Sequence, residues 1–385
     1  MAMAKVLHLI SGGESGGSKK HLLTLLPALR ERGVAVHLVC FLDGALYREA
    51  VAAGIPATLL AQKNRRDPDV VRRLAAMIQE EGFTLVHAHG GRANVAAVQV
   101  KRRLQRRQEA LPPFLTTVHS HPRLDYIHQP LWKRLAFTYL NLRALRAFDY
   151  TIAVSQAFAE ELTRAGLARK RLSVVYNGIS FADPPEPYPR AQLRQLCGLQ
   201  LSEADQVLIL VGRLHPVKRI PDFLHALQAL AREGWPVKAL IVGDGPLRPE
   251  LERQAREAGL AGQVAFLGFR QDVERLLASS DFSLLCSASE SFPFVILESL
   301  KAGRPAVATR VGGIPEILPP ELLYAPGDVY ALTERLRRLL KDPQRRQALG
   351  EELRRRAERD FSDAAMAAAH LRIYETCAAW PTSGS

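Results

Sequence analysis

Short runs of β-branched and other apolar residues alternate with segments of helical periodicity along almost the whole chain, and this alternation limits the folds open to it. Buried parallel strands are near-continuous apolar runs, and helices connect them. The pattern therefore predicts an α/β fold with parallel sheets covered by helices. The predicted strands lie near 6–10, 34–41, 57–61, 84–90, 114–120, 150–155, 172–178, 207–214, 238–245, 264–268, 281–287, 305–310 and 322–325.

A proline-rich segment divides this pattern into two halves. The sequence "ADPPEPYPR" at 182–190 holds four prolines in nine residues, which can neither continue a helix nor lie in a central strand. A chain of 385 residues is also too long for one ordinary core. We therefore expect two doubly wound, Rossmann-like domains that face each other across a cleft, at 1–181 and 191–365. For 366–385 we expect a C-terminal helix, which could pack back on the first domain, and a disordered tail.

From composition we expect a cytoplasmic location. No apolar run approaches the roughly 20 residues of a membrane span, and no signal peptide is apparent at the N-terminus. The four cysteines, at 40, 197, 286 and 377, are scattered without paired metal-ligand spacing. They are typical of free thiols in a reducing compartment.

The net charge of +13 belongs entirely to the first half. Residues 1–181 hold 26 Lys and Arg against 13 Asp and Glu, whereas residues 182–385 hold 26 of each. The basic stretches at 101–107 and 123–146 are either solvated helix faces or an anion-binding surface. We expect contact with an anionic membrane. A nucleic acid is the other common partner of such a surface, but no RNA- or DNA-binding motif accompanies the charge.

The glycine-rich stretch "SGGESGGSKK" at 11–20 follows the first predicted strand. Gly12 and Gly17 have the spacing of a phosphate-binding NTPase loop, but serine and lysine follow in reversed order, so this loop type is not matched. The dinucleotide pattern of three spaced glycines is also absent from the stretch. A glycine turn between a strand and a helix is the simpler alternative.

Polar residues follow several strands of the second half, where open α/β sheets bind ligands. Gly212, Arg213 and Lys218 follow one strand in "GRLHPVKR", and two fixed cations there suit a diphosphate. Glu290 and Glu298 lie eight residues apart in "ESFPFVILE". We expect a helix with Ser291 as N-cap and Pro293 in its first turn, ending near Gly303. Its N-terminus would attract an anion, and an embedded Glu298 could bind vicinal hydroxyls.

The ordered set "GRLHPVK", "VGDGPL", "FLGF", "ESFPFVILE" and "GGIPE" resembles the C-terminal nucleotide-sugar domain of GT-B glycosyltransferases of the family 4 type. In the first half the glycine loop, "HAHG", "TVH" and "AVS" resemble the acceptor domain of that family. The resemblance implies a retaining, hexosyl-type transferase that uses a nucleoside-diphosphate sugar.

The resemblance also implies roles for single residues. Arg213 and Lys218 would neutralise the departing diphosphate, Glu298 would hold the ribose, and Glu290 would face the donor sugar. His119 would contact the transferred sugar. The remaining predicted donor-binding residues are Gly16, Gly17, Gly212, Gly268, Phe269, Arg270, Phe294 and Val295.

The chain departs from the family pattern at Pro293 and Arg219, where the family commonly has glycine. The segment "HSHPR" at 119–123 is also more basic than usual. These changes bear on how the donor sugar is recognised.

Several functions fit this reading. We expect transfer from a UDP-sugar, in preference to a GDP-sugar, to a lipid-linked or cell-envelope glycan at the inner face of the membrane. A nucleotide-sugar epimerase or a transferase to a small soluble acceptor is the alternative, and a basic nucleic-acid-binding protein is a remote third. No cofactor or metal is predicted, because no Asp-x-Asp and no clustered histidine and carboxylate set stands out in the sequence.

Overall fold

The protein forms two compact units, and the computed structural model describes residues 4–14, 16–64, 67–119, 139 and 141–378. The first unit comprises 1–180 with 363–385, and the second comprises 181–362. The predicted linker 182–190 thus belongs to the second unit, where its last residue, Arg190, begins a helix. The predicted second domain extended to 365, whereas the C-terminal helix, from Asp363 onward, belongs to the first unit.

The first unit is built on a parallel sheet of seven strands in the order β3-β2-β1-β4-β5-β6-β7. The strands are β1 (Lys5–Ile10), β2 (Ala35–Cys40), β3 (Ala57–Leu59), β4 (Leu85–His89), β5 (Phe114–Val118), β6 (Tyr150–Ala153) and β7 (Leu172–Val174). The helices are α1 (Gly17–Arg30), α2 (Ala45–Ala52), α3 (Pro68–Glu80), α4 (Gly90–Arg106), α5 (Gln156–Arg164) and, from the chain end, Asp363–Ala378. Residues 141–145 are also helical.

Alternate side chains of each strand pack on opposite faces of this sheet. Val6 lies in a core with Leu22 and Leu25 of α1, and Tyr374 of the C-terminal helix belongs to the same core. Leu7 lies in the other core, with residues of α3 and α4. Apolar cover on both faces explains why the strands are near-continuous apolar runs.

The second unit repeats this architecture with a parallel sheet of six strands in the order β10-β9-β8-β11-β12-β13. The strands are β8 (Gln206–Val211), β9 (Val237–Val242), β10 (Val264–Gly268), β11 (Phe282–Leu285), β12 (Ala306–Thr309) and β13 (Leu323–Tyr324). The helices are α6 (Arg190–Cys197), α7 (Ile220–Arg232), α8 (Arg248–Glu257), α9 (Val273–Ala278), α10 (Phe294–Lys301), α11 (Ile314–Ile317), α12 (Val329–Lys341) and α13 (Pro343–Asp360), so the C-terminal helix is α14.

The predicted strands all occur, and the α/β class with two Rossmann-like domains is confirmed. In each sheet the strand order reverses beside the first strand, between β1 and β4 and between β8 and β11. Ligands of doubly wound sheets bind outside the carboxyl ends of the strands at such a reversal. Among the helices that the structure describes, none combines the length and apolar character that crossing a membrane requires.

Candidate active site

The loops that follow β8 and β11 carry a charged pair, Lys218 and Glu290. Lys218 ends a short 3-10 turn, Pro216–Lys218, that follows β8. The turn is held against the loop after β11, because the amide of Ala288 donates a hydrogen bond of 2.7 Å to the oxygen of Val217. The two loops are therefore fixed relative to each other by the main chain.

Lys218 and Glu290 form an ion pair at this place. The Lys218 ammonium nitrogen lies 2.5 Å from Oε1 of Glu290, and the two side chains are only 19% and 14% exposed. The hydroxyl of Ser287 donates a second hydrogen bond, of 2.6 Å, to the same oxygen. Ser287 is buried, and its main-chain oxygen accepts a hydrogen bond of 2.7 Å from the hydroxyl of Thr309 at the end of β12. The carboxylate of Glu290 is thus held in one position from two sides.

Glycines let the loops at this edge approach each other closely. A β-carbon at Gly312, whose φ is +50°, would lie 1.6 Å from the main-chain oxygen of Glu290. A β-carbon at Gly243 would lie 2.0 Å from the oxygen of Gly212. Side chains at Gly243 and Gly312 would force the strand ends apart, so these glycines are required by packing.

Glu298 lies in the second turn of α10, which follows the Glu290 loop, and its side chain is buried at 9% exposure. The expected embedding of Glu298 is thus observed. The expected cap is wrong: Pro293 is the N-cap, with extended backbone, and Ser291 lies outside the helix. The oxygen of Ser291 instead accepts a hydrogen bond of 2.9 Å from the amide of Gly313.

Phe294 and Val295 open α10. Phe294 is buried and Val295 is half-buried. They lie in the first turn of the helix, at the positive end of its dipole. Their predicted role at a donor sugar stays a prediction.

Arg213 follows β8 as well, but its side chain is exposed. Arg219, at the position where the family commonly has glycine, has φ +48°, the left-handed region that glycine adopts without cost. Its guanidinium makes two hydrogen bonds, of 2.7 and 3.1 Å, to the carboxylate of Asp222. This pair accounts for how a non-glycine residue is held in that conformation.

The loop after β10 carries an exposed aromatic residue, Phe269, followed in sequence by an ion-paired arginine, Arg270. Gly268 has φ +68°, and Phe269 is 77% exposed. Arg270 donates hydrogen bonds of 2.8 and 2.6 Å to Asp272, which also accepts a bond of 2.5 Å from the Tyr188 hydroxyl. The bonds from Arg270, above all, lower the pKa of Asp272 to about 2. An exposed aromatic ring such as that of Phe269 is a surface on which a planar base can stack.

Gly16 and Gly17 lie in the first unit, at the N-terminus of α1. Gly16 is the N-cap, and a β-carbon there would meet no atom within 4 Å. Both residues are exposed, so their main chain is accessible to a ligand. Lys19 is paired with Glu49 at 2.7 Å. The approach of Gly16 and Gly17 to a donor diphosphate stays a prediction.

His119 follows β5 and is one of six histidines that the fold gathers in the first unit. The cluster consists of His8, His21, His87, His89, His119 and His370, with ring centroids of neighbouring members 4.2–5.8 Å apart. Burial lowers the pKa of His8 and of His119 to about 3. The imidazoles are therefore neutral at physiological pH.

Sequence reasoning, which looked for a set of histidines and carboxylates, missed this cluster of histidines, and the expectation that no metal is needed stays a prediction. His8 of β1 pairs in register with His87 of β4, and His89 lies two residues on, on the same face of that strand. The alternation in "VHAHG" was the one local signal. Ser287, which holds Glu290, had no distinguishing signal at all.

The predicted basic surface at 101–107 is smaller than its sequence indicates. Lys101 is buried, and its ammonium lies 2.6 Å from Asp149 and 3.0 Å from the oxygen of Ala147. Exposed cations remain at Arg102, Arg106 and Arg107. Of the stretch 123–146, residues 123–138 and 140 lie outside the described residues.

Two family models match the chain, one in each half. The model described as "Glycosyltransferase Family 4" matches residues 15–182, and the model described as "Glycosyl transferases group 1" matches residues 205–342. The chain is a glycosyltransferase of the family 4 type. This confirms the resemblance drawn from the motifs and assigns the protein to the hexosyl-type transferases, with the GT-B fold class.

Curated relatives of this glycosyltransferase act on different acceptors. It is 28% identical to N-acetyl-alpha-D-glucosaminyl L-malate synthase of Bacillus anthracis, over 80% of this chain and 78% of the relative. It is 30% identical to 2-deoxystreptamine glucosyltransferase of Streptomyces kanamyceticus, over 60% and 62%. It is 32% identical to a GDP-mannose-dependent phosphatidylinositol dimannoside mannosyltransferase of Mycobacterium tuberculosis, over 53% of each chain. The match thus spans 62% and 53% of the length of the last two relatives.

Solved structures share the whole fold of this glycosyltransferase. The structure of Anabaena HepE with UDP and glucose has a TM-score of 0.80 at 23% identity and covers 97% of this chain and 100% of that one. A glycosyltransferase of Rickettsia africae has a TM-score of 0.82 at 16% identity, covering 99% and 100%. At these identities the likeness shows the fold and leaves the substrates open.

Proposed function

We propose that this glycosyltransferase moves a hexosyl group, with retention of configuration, from a UDP-sugar to a lipid-linked or cell-envelope glycan. The observation that carries the proposal is the ion pair of Lys218 and Glu290 at the strand-order reversal of the second sheet. A cation and a carboxylate are held there, at 2.5 Å, where doubly wound folds bind their ligands.

The cations at this edge suit a departing diphosphate. When the bond between the sugar and the diphosphate breaks, negative charge builds on the phosphate oxygens, and fixed positive groups stabilise it. In the proposal Lys218 moves from Glu290 to the diphosphate, and the exposed Arg213 contacts it from the same loop. The first-turn amides of α10 add the positive end of the helix dipole.

Retention follows from attack on the same face of the sugar as the leaving group. The acceptor oxygen bonds to the anomeric carbon, the bond from that carbon to the phosphate oxygen breaks, and the acceptor proton goes to that phosphate oxygen. Glu290 is held by Lys218 and Ser287. We assign it to orienting the donor sugar, and the buried Glu298 to the ribose hydroxyls. The transfer step needs no metal in this scheme.

A UDP-sugar donor is supported by HepE, which was solved with UDP and glucose, while the mycobacterial relative uses GDP-mannose. A thermal-shift panel with UDP, GDP and ADP decides between the bases, because a ligand that binds the native state raises its stability by mass action. The largest shift is expected with UDP. A larger shift with GDP contradicts the base assignment and leaves the transferase proposal intact.

The membrane acceptor is supported by the charge of the first half and by the exposed Arg102, Arg106 and Arg107. The test is sedimentation with anionic vesicles at low and at physiological salt. We expect binding at low salt that charge reversal of Arg102 and Arg106 weakens. The matched control reverses two exposed cations of the second unit, Lys341 and Arg355. Wild-type protein that ignores the vesicles at low salt contradicts a peripheral membrane location.

Transfer to a small soluble acceptor is the second candidate, and the malate and deoxystreptamine transferases among the relatives support it. Product analysis with a labelled donor sugar separates the two acceptor classes. The label enters the lipid extract if the acceptor is lipid-linked and stays in the aqueous phase if the acceptor is small and soluble.

Two further measurements test the reaction type. Incubation with donor alone tests the epimerase alternative, because an epimerase needs no acceptor. The anomeric coupling constant of the isolated product tests retention.

A further inference from the structure

Three of the clustered histidines converge on one point. His21 comes from α1, His89 ends β4 and His119 follows β5, and one ring nitrogen of each lies within 4.8 Å of the other two. We propose that His21, His89 and His119 form a binding site for a divalent transition-metal ion of the Zn²⁺ type. The inference concerns the first unit and does not rest on the proposed function.

His21 has the hydrogen bonding of a metal ligand. Its Nδ1 lies 3.0 Å from Oδ1 of Asn177. Because an amide oxygen only accepts hydrogen bonds, the proton of the neutral ring is on Nδ1 and the lone pair is on Nε2. That Nε2 is buried and has no hydrogen-bond partner among the described residues. Metal-binding histidines characteristically donate a hydrogen bond from the N–H of the other ring nitrogen to a carbonyl or carboxylate oxygen in this way.

His89 and His119 already have the spacing of two ligands. Nδ1 of His89 lies 3.2 Å from Nε2 of His119. Two nitrogens bound to one tetrahedral Zn²⁺ at about 2.0–2.1 Å are about 3.3 Å apart. The other nitrogen of His89 lies 3.2 Å from Nδ1 of His8, which can accept its proton. A metal would replace the direct contact between His89 and His119 and also engage the lone pair of His21.

A second convergent set, formed by His8, His87 and His89, fits a metal less well. Both nitrogens of His87 are already engaged at 2.8 Å, one by the Tyr374 hydroxyl and one by the Thr117 hydroxyl. A metal there would have to break one of these bonds. The geometry therefore favours the set with His21.

The donor set indicates the class of metal. Imidazole ligands suit Zn²⁺, Co²⁺, Ni²⁺ and Cu²⁺, whereas Mg²⁺ and Ca²⁺ prefer oxygen. His119 is half-buried, so solvent could reach the site from its side and supply a fourth ligand to the metal.

The experiment titrates the full chain with Co²⁺ after removal of metals by a chelator and dialysis. Four-coordinate Co²⁺ absorbs visible light strongly, so the spectrum reports both stoichiometry and geometry. We expect one equivalent per chain in the wild type. His225→Ala is the matched control, because His225 is an exposed histidine of α7 in the second unit. This variant should bind like the wild type.

Substitution within the site should abolish binding. We expect His21→Ala and His119→Ala to lose the stoichiometric spectrum. Asn177→Ala should weaken Co²⁺ binding about 10–100-fold, as the loss of an orienting partner does at other metal sites. Since His21 is buried, its variant must first show native far-ultraviolet circular dichroism without metal. The half-buried His119 provides a second variant that does not depend on this condition.

Three outcomes would overturn the proposal. The first is the absence of stoichiometric Co²⁺ binding by the wild type. The second is undiminished binding by His119→Ala. The third is a sulfur-to-cobalt charge-transfer band, which would assign the metal to one of the free cysteines. None of these outcomes bears on how the second unit binds a donor. The metal-site proposal and the transferase proposal can therefore be refuted independently.

Discussion

Lys218 and Glu290 are 72 residues apart in sequence, and their charged groups meet at 2.5 Å over the carboxyl ends of adjacent strands. Each charge offsets the other in a partly buried place. A diphosphate with two or more negative charges is a stronger partner for an ammonium than one carboxylate. In the function proposed above, Lys218 therefore moves from Glu290 to the diphosphate, and Glu290 orients the donor sugar.

Lys218→Ala should lower the rate of transfer about 10²–10³-fold, as the loss of one preorganised group facing developing charge does elsewhere. The reason is that the charge on the departing diphosphate loses the partly buried cation that we assign to it. Steady-state kinetics with a labelled donor measure the effect, which should appear mainly in kcat. The control is Lys238→Ala, on β9 of the same sheet, whose ammonium binds the oxygen of Gly262 at 2.8 Å. Full activity of Lys218→Ala would refute the assignment.

Glu298→Gln should weaken nucleoside-diphosphate binding by about 1.5–3 kcal/mol, because hydrogen bonds to a charged group are lost while the shape of the side chain is kept. Isothermal titration calorimetry with the preferred nucleotide measures it. Glu257→Gln, at an exposed ion pair of α8, serves as the matched control and should bind normally. Equal affinity of the two variants would exclude Glu298 from the site.

Gly312→Ala should destabilise the protein by several kcal/mol or prevent folding, because the new methyl group would overlap the Glu290 oxygen at 1.6 Å and φ is +50°. Urea unfolding measures the change. Gly262→Ala provides the contrast, since a β-carbon there meets no atom within 4 Å. That variant should stay within about 0.5 kcal/mol of the wild type. Similar stabilities of both variants would show that the loops at this edge can separate freely.

Asp272→Asn should destabilise the second unit at pH 7 by about 1 kcal/mol. The pKa of Asp272 is about 2 in the folded protein and 3.8 without its partners, which corresponds to an upper limit near 2.4 kcal/mol before solvent screening is allowed for. Because the folded pKa is the lower one, this stability is complete above pH 3.8 and is lost as the pH falls towards 2. The difference in unfolding free energy between Asp272→Asn and the wild type should therefore be clearly smaller at pH 3 than at pH 7 and should vanish only below pH 2. A difference in unfolding free energy that is the same at both pH values would show that titration of the Asp272 carboxylate does not cause the effect.

The first unit should lose stability when the pH falls below about 6.5. His8 and His119 have a pKa of about 3 in the folded protein and His370 one of about 4, whereas unfolded histidine titrates near 6.5. The unfolded chain therefore binds more protons below pH 6.5, and each such histidine lowers the unfolding free energy by about 1.4 kcal/mol per pH unit. Hydrogen exchange followed by mass spectrometry at pH 7 and pH 5 should show opening of 1–180 before 181–362. Equal protection in both units at pH 5 would contradict it.

Local patterning made much of the fold predictable. Buried parallel strands must be apolar along their length, so runs such as 207–214 and 114–120 are visible without any partner. The glycines and polar residues after these strands are visible too, because a chain must turn there and ligands bind there. Glu298 could be placed on a helix and expected to be buried from its apolar neighbours alone. The N-cap was misplaced because Ser291 and Pro293 both favour a helix start, and the packing against Gly313 selected the later one.

The sequence by itself determined the two α/β domains, the approximate division at the proline segment and the membership of the glycosyltransferase family, since each depends on residue types at fixed local spacing. Only the tertiary structure decided which charges meet. It paired Lys218 with Glu290 and buried Lys101 against Asp149. It also brought histidines from β1, α1, β4, the loop after β5 and α14 into one cluster. These contacts join residues far apart in sequence, and their distances follow from strand order and helix packing, which no local pattern encodes.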